Sequence, residues 1–189
     1  MKDACGDRDV DVVLTTREMC RLLRSDYIVP EELGEAEFDS PLGSGTGAAV
    51  IFGATGGVME AALRTAYELV TGETLDKVEF DAVRGVEGVK EASVKVGDVT
   101  LNVAVAHGTA NAAKLLDAIK AGEKTYHFIE VMGCPGGCVT GGGQPIVSAA
   151  KRMECDPKAL RAAALYREDA GKALRKSHEN PSIKKLYDE

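Results

Sequence analysis

The segment from Glu130 to Pro145 reads E-V-M-G-C-P-G-G-C-V-T-G-G-G-Q-P and strongly restricts how the chain can fold. Cys134 and Cys138 stand four positions apart, with a proline and two glycines between them. Two thiols at this spacing reach one metal centre only where the backbone curls tightly, which glycine and proline permit. Because thiolates suit iron–sulfur clusters and zinc, this segment predicts a metal centre, and we favour an iron–sulfur cluster. We call residues 133–145 the cysteine loop.

Three other interpretations of these two cysteines stay open. They could be small buried side chains in a tight turn, and small buried side chains are the interpretation we favour for Cys20 and Cys155. They could form a redox dithiol, although the usual spacing for that chemistry is C-x-x-C. They could be half of a zinc site, which needs four tightly held ligands and finds only Cys5 as a distant candidate. The odd number of five cysteines argues against a disulfide framework.

Two further features lie near the predicted site. G-A-T-G-G at 53–57, which we call the glycine loop, precedes a predicted helix and is a weak nucleotide-binding signal without a Walker lysine. A helix N-terminus beside an anionic cluster would explain these glycines equally well. Glu130 directly precedes the cysteine loop, and we expect its carboxylate to orient that loop through backbone N–H groups.

Composition limits the classes of protein. The chain has 189 residues, of which 44% are hydrophobic and 28% charged, so it can bury an aliphatic core in one domain. Its net charge of −7 argues against a nucleic-acid partner, because phosphate binding needs clustered positive charge. No apolar run approaches the ~20 residues that span a bilayer, which argues against a membrane protein. The first residues are acidic where a signal peptide would be apolar, so we expect a cytoplasmic protein.

Strands and helices are predicted to alternate along the chain. The predicted strands are 9–14, 77–83, 90–96, 99–106 and 126–132, and the predicted helices are 17–25, 58–70, 110–120, 148–153 and 157–167. A turn at Gly97 and Asp98 joins the third and fourth strands, and residues 27–47 read as an irregular loop. The alternation predicts an α/β fold with a largely parallel sheet flanked by helices. In such sheets sites form at the carboxyl ends of strands, where the cysteine loop lies.

The segment from Glu130 to Pro145 closely resembles the third signature motif of the iron-only hydrogenases, the enzymes that carry the H-cluster. D-V-D-V-V-L-T-T-R-E at 9–18 is similar to a strand-to-helix unit that follows the second signature of that family. A-A-V-I-F-G-A-T-G-G-V-M-E-A-A-L-R at 48–64 is similar to a glycine loop and helix that border the active site. L-R-K-S-H-E-N-P-S-I-K-K-L-Y-D-E at 174–189 resembles the C-terminal arm that wraps the catalytic domain in single-chain enzymes.

The resemblance implies a domain division and a cofactor. Residues 1–150 would be the C-terminal portion of the H-cluster domain, forming one lobe of the catalytic domain. Residues 151–189 would be a helical arm that resembles the hydrogenase small subunit. In the family, the H-cluster joins a 4Fe-4S cubane through one cysteine sulfur to a two-iron subcluster. The reaction of the family is the reversible reduction of protons to hydrogen.

The resemblance also implies roles for four residues. By position, Cys134 would be a metal ligand of the cubane. Cys138 would be the metal-binding and catalytic cysteine that bridges the cubane to the two-iron subcluster. Met132 and Phe52 match cofactor-binding residues that pack around the two-iron subcluster. Without the resemblance, ordinary core packing would be the preferred explanation for both side chains.

Two earlier signatures of the family, T-S-C-C-P and P-C-x-x-K-x-E, do not occur in this chain. In the family they supply two cubane cysteines, the thiol that delivers protons, and a lysine that holds a cyanide. The resemblance therefore implies an incomplete site, a cluster that would be unoccupied here, and no hydrogen turnover by the chain alone. The expected partner is the missing N-terminal half or a subunit that carries it, with ferredoxin or an NAD-linked electron carrier acting through other domains.

Two alternative functions stay open. A non-hydrogenase relative would bind only a 4Fe-4S cluster and act in iron–sulfur protein assembly, and a metal-free structural domain would bind none. Met132, Phe52 and the K-S-H-E-N-P stretch favour the hydrogenase.

Exported two-subunit members of the family carry the arm as a separate chain, so a fused arm and an absent leader again favour the cytoplasm.

Overall fold

The computed structural model describes residues 2, 4–36, 44–85 and 87–188. The helices are α1 (Thr16–Ser25), α2 (Gly47–Val50), α3 (Gly57–Thr71), α4 (Thr109–Lys120), α5 (Ala149–Glu154), α6 (Pro157–Gly171) and α7 (Pro181–Asp188). The strands are β1 (Val89–Val96), β2 (Val99–His107) and β3 (Phe128–Met132), and short 3-10 turns lie at Pro30–Glu32, Ile51–Gly53, Asp81–Val83, Cys138–Thr140 and Ser177–Glu179. No helix in the described part of the chain is both long and apolar enough to cross a membrane.

The three strands lie in the order β1-β2-β3. β1 and β2 form an antiparallel hairpin with Val96 opposite Val99, and Gly97, with a φ of 59°, makes the predicted tight turn. β2 and β3 are parallel, with Val103 beside Phe128, and α4 is the crossover between them. The sheet is therefore mixed rather than largely parallel, because the hairpin contributes an antiparallel pair.

Helices cover both faces of this sheet. Successive side chains of β2 point to opposite faces, as in any strand. The larger apolar cluster, between α3 and one face, contains Met59, Leu63, Val83, Val94, Val96, Val103 and Val105. The smaller cluster, between α4 and the other face, contains Ala104, Ala106 and Leu115. The predicted α/β class with flanking helices is confirmed.

Most predicted helices form close to their expected bounds because their end signals are local. Thr15 and Glu18 make a capping box at the start of α1: the Thr15 N–H donates to Glu18 Oε2 at 2.8 Å, and the Glu18 N–H donates to Thr15 Oγ1 at 3.2 Å. Gly72, with a φ of 69°, ends α3, and Gly122, with a φ of 74°, follows α4.

Two predicted strands are wrong. Residues 9–14 belong to no strand, and Val13 is 83% exposed. A strand needs a hydrogen-bonding neighbour, and the described sheet ends at β1 and β3 without this segment. Residues 77–83 are irregular and end in the turn Asp81–Val83. Their backbone has another partner, because the Val78 carbonyl accepts a hydrogen bond from Arg64 Nε at 2.9 Å.

The irregular loop predicted at 27–47 is described only in part. Residues 27–36 are irregular apart from the turn Pro30–Glu32, and residues 37–43 lie outside the described part of the chain. Residues 44–46 lead into α2, which begins at Gly47 inside the predicted loop. The Thr46 hydroxyl accepts from the Ala49 N–H and so provides the cap that starts this short helix.

Buried ion pairs hold the C-terminal helices against α3. Arg64 is fully buried and pairs with Glu60 at 2.7 Å and with Asp169 of α6 at 2.8 Å. Arg84 binds the same Glu60 carboxylate at 2.6 Å, and Arg175 binds Asp169 at 2.6 Å. Because removal of one partner would strand a buried charge, α6 and the segment after it are integral to the fold.

The remainder of the arm also binds through polar groups. Lys176 Nζ lies 2.5 Å from Glu68 Oε1, and His178 Nε2 lies 2.6 Å from Glu68 Oε2. The hydrogen bond from Lys176 is the main cause that lowers the pKa of Glu68 to about 2. Asn180 Nδ2 donates to the Ser44 carbonyl at 2.7 Å. The arm is therefore attached to α3 mainly by charged and hydrogen-bonding side chains.

Candidate functional site

The cysteine loop leaves the carboxyl end of β3 and turns sharply at two glycines. Gly136 and Gly137 have φ angles of 89° and 99°, a region that L side chains disfavour. The Gly137 N–H donates to the Cys134 carbonyl at 3.0 Å, and Cys138 begins the next 3-10 turn. Both thiols are free and exposed. The tight curl predicted between the cysteines is confirmed, and within this chain both side chains lie at the surface rather than in a buried turn.

The glycine loop packs directly against this turn. The Thr55 N–H donates to the Gly136 carbonyl at 3.1 Å. A Cβ on Gly137 would lie 2.7 Å from the Gly53 carbonyl oxygen and 2.8 Å from the Thr55 nitrogen. Only glycine permits two backbones to approach this closely, so these segments, far apart in the sequence, form one structural unit.

We expect Gly137→Ala to lower the free energy of unfolding by about 2–4 kcal/mol, because the new Cβ adds strain at positive φ to a collision with backbone atoms. Chemical denaturation measures this loss. Gly142→Ala is the matched control within the same loop, since its Cβ would meet nothing within 4 Å and should change stability by less than about 0.5 kcal/mol. Equal losses in the two variants would contradict the close packing of the glycine loop and the cysteine loop.

The far side of the cysteine loop is fastened by helices from both ends of the chain. Arg161 of α6 donates from Nη1 to the Val139 carbonyl at 2.9 Å and from Nη2 to the Pro145 carbonyl at 2.8 Å. The Arg17 N–H in α1 donates to the Gly143 carbonyl at 2.9 Å. These bonds engage the loop through its carbonyl groups and leave the two thiols at the surface.

Met132 and Phe52 lie at the edges of these two loops. Met132 is half-buried at the end of β3, and its carbonyl accepts from the Gly108 N–H at 2.8 Å. Phe52 lies in the turn Ile51–Gly53, directly before the glycine loop, and is 45% exposed. Within the described residues, the phenyl ring is therefore not part of the buried core. The roles of both side chains toward a cofactor stay predictions.

Glu130 is 6% exposed and caps α3 from the neighbouring strand. Its Oε1 accepts from the Gly56 N–H at 2.6 Å, and its Oε2 accepts from the Met59 N–H at 2.7 Å. Gly56 is the N-cap residue and has no side chain to accept these bonds, so the carboxylate replaces one. The expectation that Glu130 orients the cysteine loop directly is wrong. Its carboxylate thereby occupies the N-terminus of α3, where the sequence analysis placed an anionic cluster as one explanation of the glycine loop.

Lys90 is a second buried charge, and no sequence motif marks it. It is 8% exposed, and its Nζ donates to the Thr55 carbonyl at 2.9 Å and to the Gly85 carbonyl at 3.0 Å. Desolvation lowers the pKa of Lys90 below its ordinary value, while the negative charges of Glu130 and Glu87 act in the opposite direction. The one sequence signal is its position in β1, where alternation places it on the inward face.

The described residues offer only two metal ligands at the cysteine loop. Within that part of the chain, one group of three potential ligand side chains comes together, formed by Glu68 of α3 with His178 and Glu179 of the arm. Cys134 and Cys138 belong to no such group. A zinc site or a cubane needs four protein ligands, so neither can be completed here from the described residues.

An exposed apolar surface adjoins the cysteine loop. We call it the N-terminal apolar surface; its side chains are between 43% and 83% exposed and comprise Val10, Val12, Val13, Leu14, Met19 and Leu22. It continues into α1, whose Arg17 N–H binds the cysteine loop. Six exposed apolar side chains within thirteen residues are typical of a binding site for another polypeptide segment.

Fold and site together define an α/β protein with an exposed pair of thiols at the carboxyl end of a parallel strand. The family described as iron only hydrogenase large subunit, C-terminal domain, matches residues 1–142, and the iron hydrogenase small subunit family matches residues 156–189. The chain therefore belongs to the iron-only hydrogenase large-subunit family, and the resemblance seen in its motifs is confirmed.

Individual hydrogenases match almost the whole chain. The HndD subunit of the NADP-reducing hydrogenase of Solidesulfovibrio fructosivorans is 57% identical over 183 residues, covering 97% of this chain and 30% of that protein. Iron hydrogenase 1 of Clostridium pasteurianum is 46% identical over 182 residues, covering 96% of this chain and 32% of that protein. A solved FeFe-hydrogenase structure from Chlamydomonas reinhardtii has a TM-score of 0.68 at 42% identity, covering 95% of this chain and 51% of that chain. The chain spans less than a third of both curated relatives.

A more distant similarity reaches a protein of another function. Cytosolic iron-sulfur assembly component 3 of Mus musculus is 31% identical over 183 residues, covering 95% of this chain and 37% of that protein. The first hydrogenase relative covers a similar share of the chain at 57% identity, so sequence similarity ranks the hydrogenases ahead of this assembly component.

Proposed function

We propose that this chain supplies part of the H-cluster site of an iron-only hydrogenase. Cys134 would ligate the 4Fe-4S cubane, and Cys138 would be the catalytic thiolate shared with a two-iron subcluster. The proposal is carried by two exposed thiols on a fixed turn that have no third ligand beside them in the described part of the chain. When bound, the H-cluster would supply the reversible reduction of protons to hydrogen.

The cysteine loop has chemistry suited to an anionic cluster. The carbonyl groups of Gly136, Val139 and Pro145 are engaged by Thr55 and Arg161 at 3.1, 2.9 and 2.8 Å. These oxygens are thereby bound to the protein rather than left as free negative dipole ends beside the cluster. The thiols remain exposed, which suits two cysteines that act as ligands.

Phe52 and Met132 would border the two-iron subcluster and exclude water from it. Phe52 stands before the glycine loop and Met132 before the cysteine loop, and these two loops are in direct contact through Gly137. The 45% exposure of Phe52 leaves a face of its ring free for a cofactor or for a covering polypeptide. An apolar border of this kind lowers the local dielectric constant and so tunes a metal centre.

The remaining cluster ligands would come from a polypeptide that covers the N-terminal apolar surface. The matched relatives are more than three times as long as this chain, which supports a further catalytic portion elsewhere. That portion would be the N-terminal half of the domain or a subunit that carries it. Ferredoxin or an NAD-linked carrier would deliver electrons through other domains. By itself this chain would not turn over hydrogen.

We also propose the division into a catalytic portion at 1–150 and an arm at 151–189, in a cytoplasmic enzyme. The small-subunit family matches residues 156–189 within the same polypeptide as the large-subunit match. A fused arm is the arrangement expected of a single-chain enzyme rather than of an exported two-subunit one.

A role in iron–sulfur protein assembly is the second candidate. The similarity to the assembly component of Mus musculus supports it, and a cubane without a two-iron subcluster would suffice. A metal-free structural role is opposed by the exposure of both thiols, because structural cysteines are usually buried.

Infrared spectroscopy separates these functions. The chain would be combined anaerobically with a polypeptide that carries the T-S-C-C-P and P-C-x-x-K-x-E signatures and then matured. We expect carbonyl and cyanide stretching bands from the complex and none from the chain alone. Iron–sulfur absorption without those bands would contradict the hydrogenase function and favour the assembly role. Absence of both signals would favour the structural domain.

A further inference from the structure

The peptide group between Thr55 and Gly56 is held at both ends by buried charges. Its carbonyl accepts from Lys90 Nζ at 2.9 Å, and its N–H donates to Glu130 Oε1 at 2.6 Å. Lys90 is 8% exposed and Glu130 is 6% exposed. The cation lies at the negative end of the peptide dipole and the anion at its positive end, so both charge-assisted bonds favour the same orientation of the peptide group.

Each charged side chain also ties the glycine loop to a second point of the fold. Lys90 Nζ donates to the Gly85 carbonyl at 3.0 Å, and Glu130 Oε2 accepts from the Met59 N–H at 2.7 Å. Lys90 and Glu130 attract each other across the peptide group. The glycine loop is thus connected to β1, to β3 and to the first turn of α3 by one continuous set of bonds.

Thr55 connects these bonds to the cysteine loop. The Thr55 N–H donates to the Gly136 carbonyl at 3.1 Å, so its amide and its carbonyl are bound to the cysteine loop and to Lys90 respectively. Gly137 packs so closely on Thr55 that a Cβ would lie 2.8 Å from its nitrogen. A shift of the Thr55 backbone must therefore move the turn between the two thiols.

We propose that Lys90 and Glu130 are positioning residues for the two cysteines, acting through the Thr55–Gly56 peptide group to set the turn between Cys134 and Cys138. Glycine-rich backbone has wide conformational freedom, and two bonds from buried charges remove that freedom at this point. Removal of either charge leaves the other buried and unbalanced. That the positioned cysteines hold a metal centre rests on the proposed function. The bonds from Lys90 and Glu130 are present in the chain with both thiols free.

Residue-resolved amide exchange on the full chain tests the positioning without iron. Lys90→Met keeps the length of the side chain and removes its charge. We expect exchange to quicken roughly 10- to 100-fold at Gly56 and Gly137, the factor that corresponds to a lost charged hydrogen bond. The amide of Ala104, in the centre of β2, should change far less, and Lys90→Arg should restore much of the protection. Lys95→Met, which removes an exposed charge from the same strand, should leave all three amides unaffected.

Unchanged exchange at Gly56 and Gly137 in Lys90→Met would overturn the proposal. An equal increase at Ala104 would also overturn it, because it would show a global loss of stability rather than a local one. If Lys90→Met does not fold, amide exchange at Gly56 and Gly137 is measured in Glu130→Gln and in the unaltered chain instead. The unaltered chain must protect the Gly56 amide, and exchange at the rate of a free glycine there would refute the bond to Glu130.

The assembled complex separates this proposal from the proposed function. Iron content in the unaltered complex tests the function alone. If iron binds, the Lys90→Met complex should have a lower midpoint potential than the unaltered complex, because a buried positive charge favours the more negative reduced cluster. The Lys95→Met complex should match the unaltered one. An equal potential in Lys90→Met would refute the positioning at the cluster while leaving the function intact.

Discussion

Asp169→Asn is expected to lower the free energy of unfolding by about 3–5 kcal/mol, because it removes one of the two carboxylates that neutralise the fully buried Arg64 guanidinium. Asp169 has no exposed surface and binds Arg64 through both carboxylate oxygens at 2.8 Å, while Arg175 donates to it at 2.6 Å. Asparagine keeps the shape of the side chain but provides one acceptor and no charge. Since Asp169 joins α6 to α3, we also expect the arm to lose protection before the sheet does.

Denaturant unfolding near neutral pH measures this loss. The matched control is Asp117→Asn on the exposed side of α4, which should change stability by less than about 0.5 kcal/mol. If Asp169→Asn lowers the free energy of unfolding by no more than Asp117→Asn does, the buried network contributes little to stability. Equal large losses in both variants would show that the effect is not specific to the network.

The same network predicts an acid dependence of stability. Desolvation opposes the charged form of Asp169, but hydrogen bonds from Arg64 and Arg175 outweigh it and hold the pKa of this carboxyl below its ordinary value. A lowered folded-state pKa stabilises the protein at every pH above the unfolded value, about 3.9, and this contribution is lost as the pH falls further. The loss of stability below about pH 4 should be smaller in Asp169→Asn than in the unaltered chain.

Cys138→Ser is expected to abolish hydrogen evolution by the assembled complex. A serine hydroxyl is a hard and weakly acidic ligand where the proposed site needs a soft thiolate, so the proposed shared ligand would be lost. The assay is hydrogen evolution from reduced viologen by the chain combined with the proposed N-terminal polypeptide. The chain alone should stay at the background rate, and robust activity without the partner would contradict its proposed dependence on outside ligands.

Cys155→Ser is the matched control for this assay. Cys155 is also a free cysteine, but its Sγ donates to the Lys151 carbonyl at 3.4 Å and lies outside the cysteine loop. The Cys155→Ser complex should keep the activity of the unaltered one. Retained activity in Cys138→Ser, or an equal loss in both variants, would contradict the assigned role of Cys138.

The features that sequence reasoning predicted correctly depend on neighbouring residues. The turn between Cys134 and Cys138 follows from the glycines inside it, and the start of α1 follows from Thr15 and Glu18. The β1–β2 hairpin follows from a glycine between two alternating segments. In each of these cases, the cause and its effect lie within a few positions, so one sequence is enough.

The features that were missed depend on partners far along the chain. Glu130 bonds to Gly56, and Lys90 bonds to Thr55. The sequence around a charged residue in a strand does not indicate which distant backbone group it will contact. Arg64 and Asp169 lie 105 positions apart, and either would read as a surface residue on its helix. Burial of such groups is decided by packing between elements, which periodicity alone does not specify.

The incorrect strand at 9–14 has a different cause. Its run of aliphatic residues is typical of a buried strand, but in the described structure Val10 and Val13 are 63% and 83% exposed. Strand formation needs a neighbour, and none lies beside this segment in the described sheet. The error therefore points to the same surface that the proposed partner would cover.

Iron and acid-labile sulfide, measured per chain under anaerobic conditions, show whether Cys134 and Cys138 hold a cluster only together with a second polypeptide. We expect little bound iron on the chain alone, a complete cluster in the complex with the proposed N-terminal polypeptide, and loss of that cluster in the Cys134→Ser, Cys138→Ser double variant. A complete cluster on the chain alone, or an undiminished cluster in the complex of the double variant, would contradict a site whose thiolates are shared between the cysteine loop and a second polypeptide.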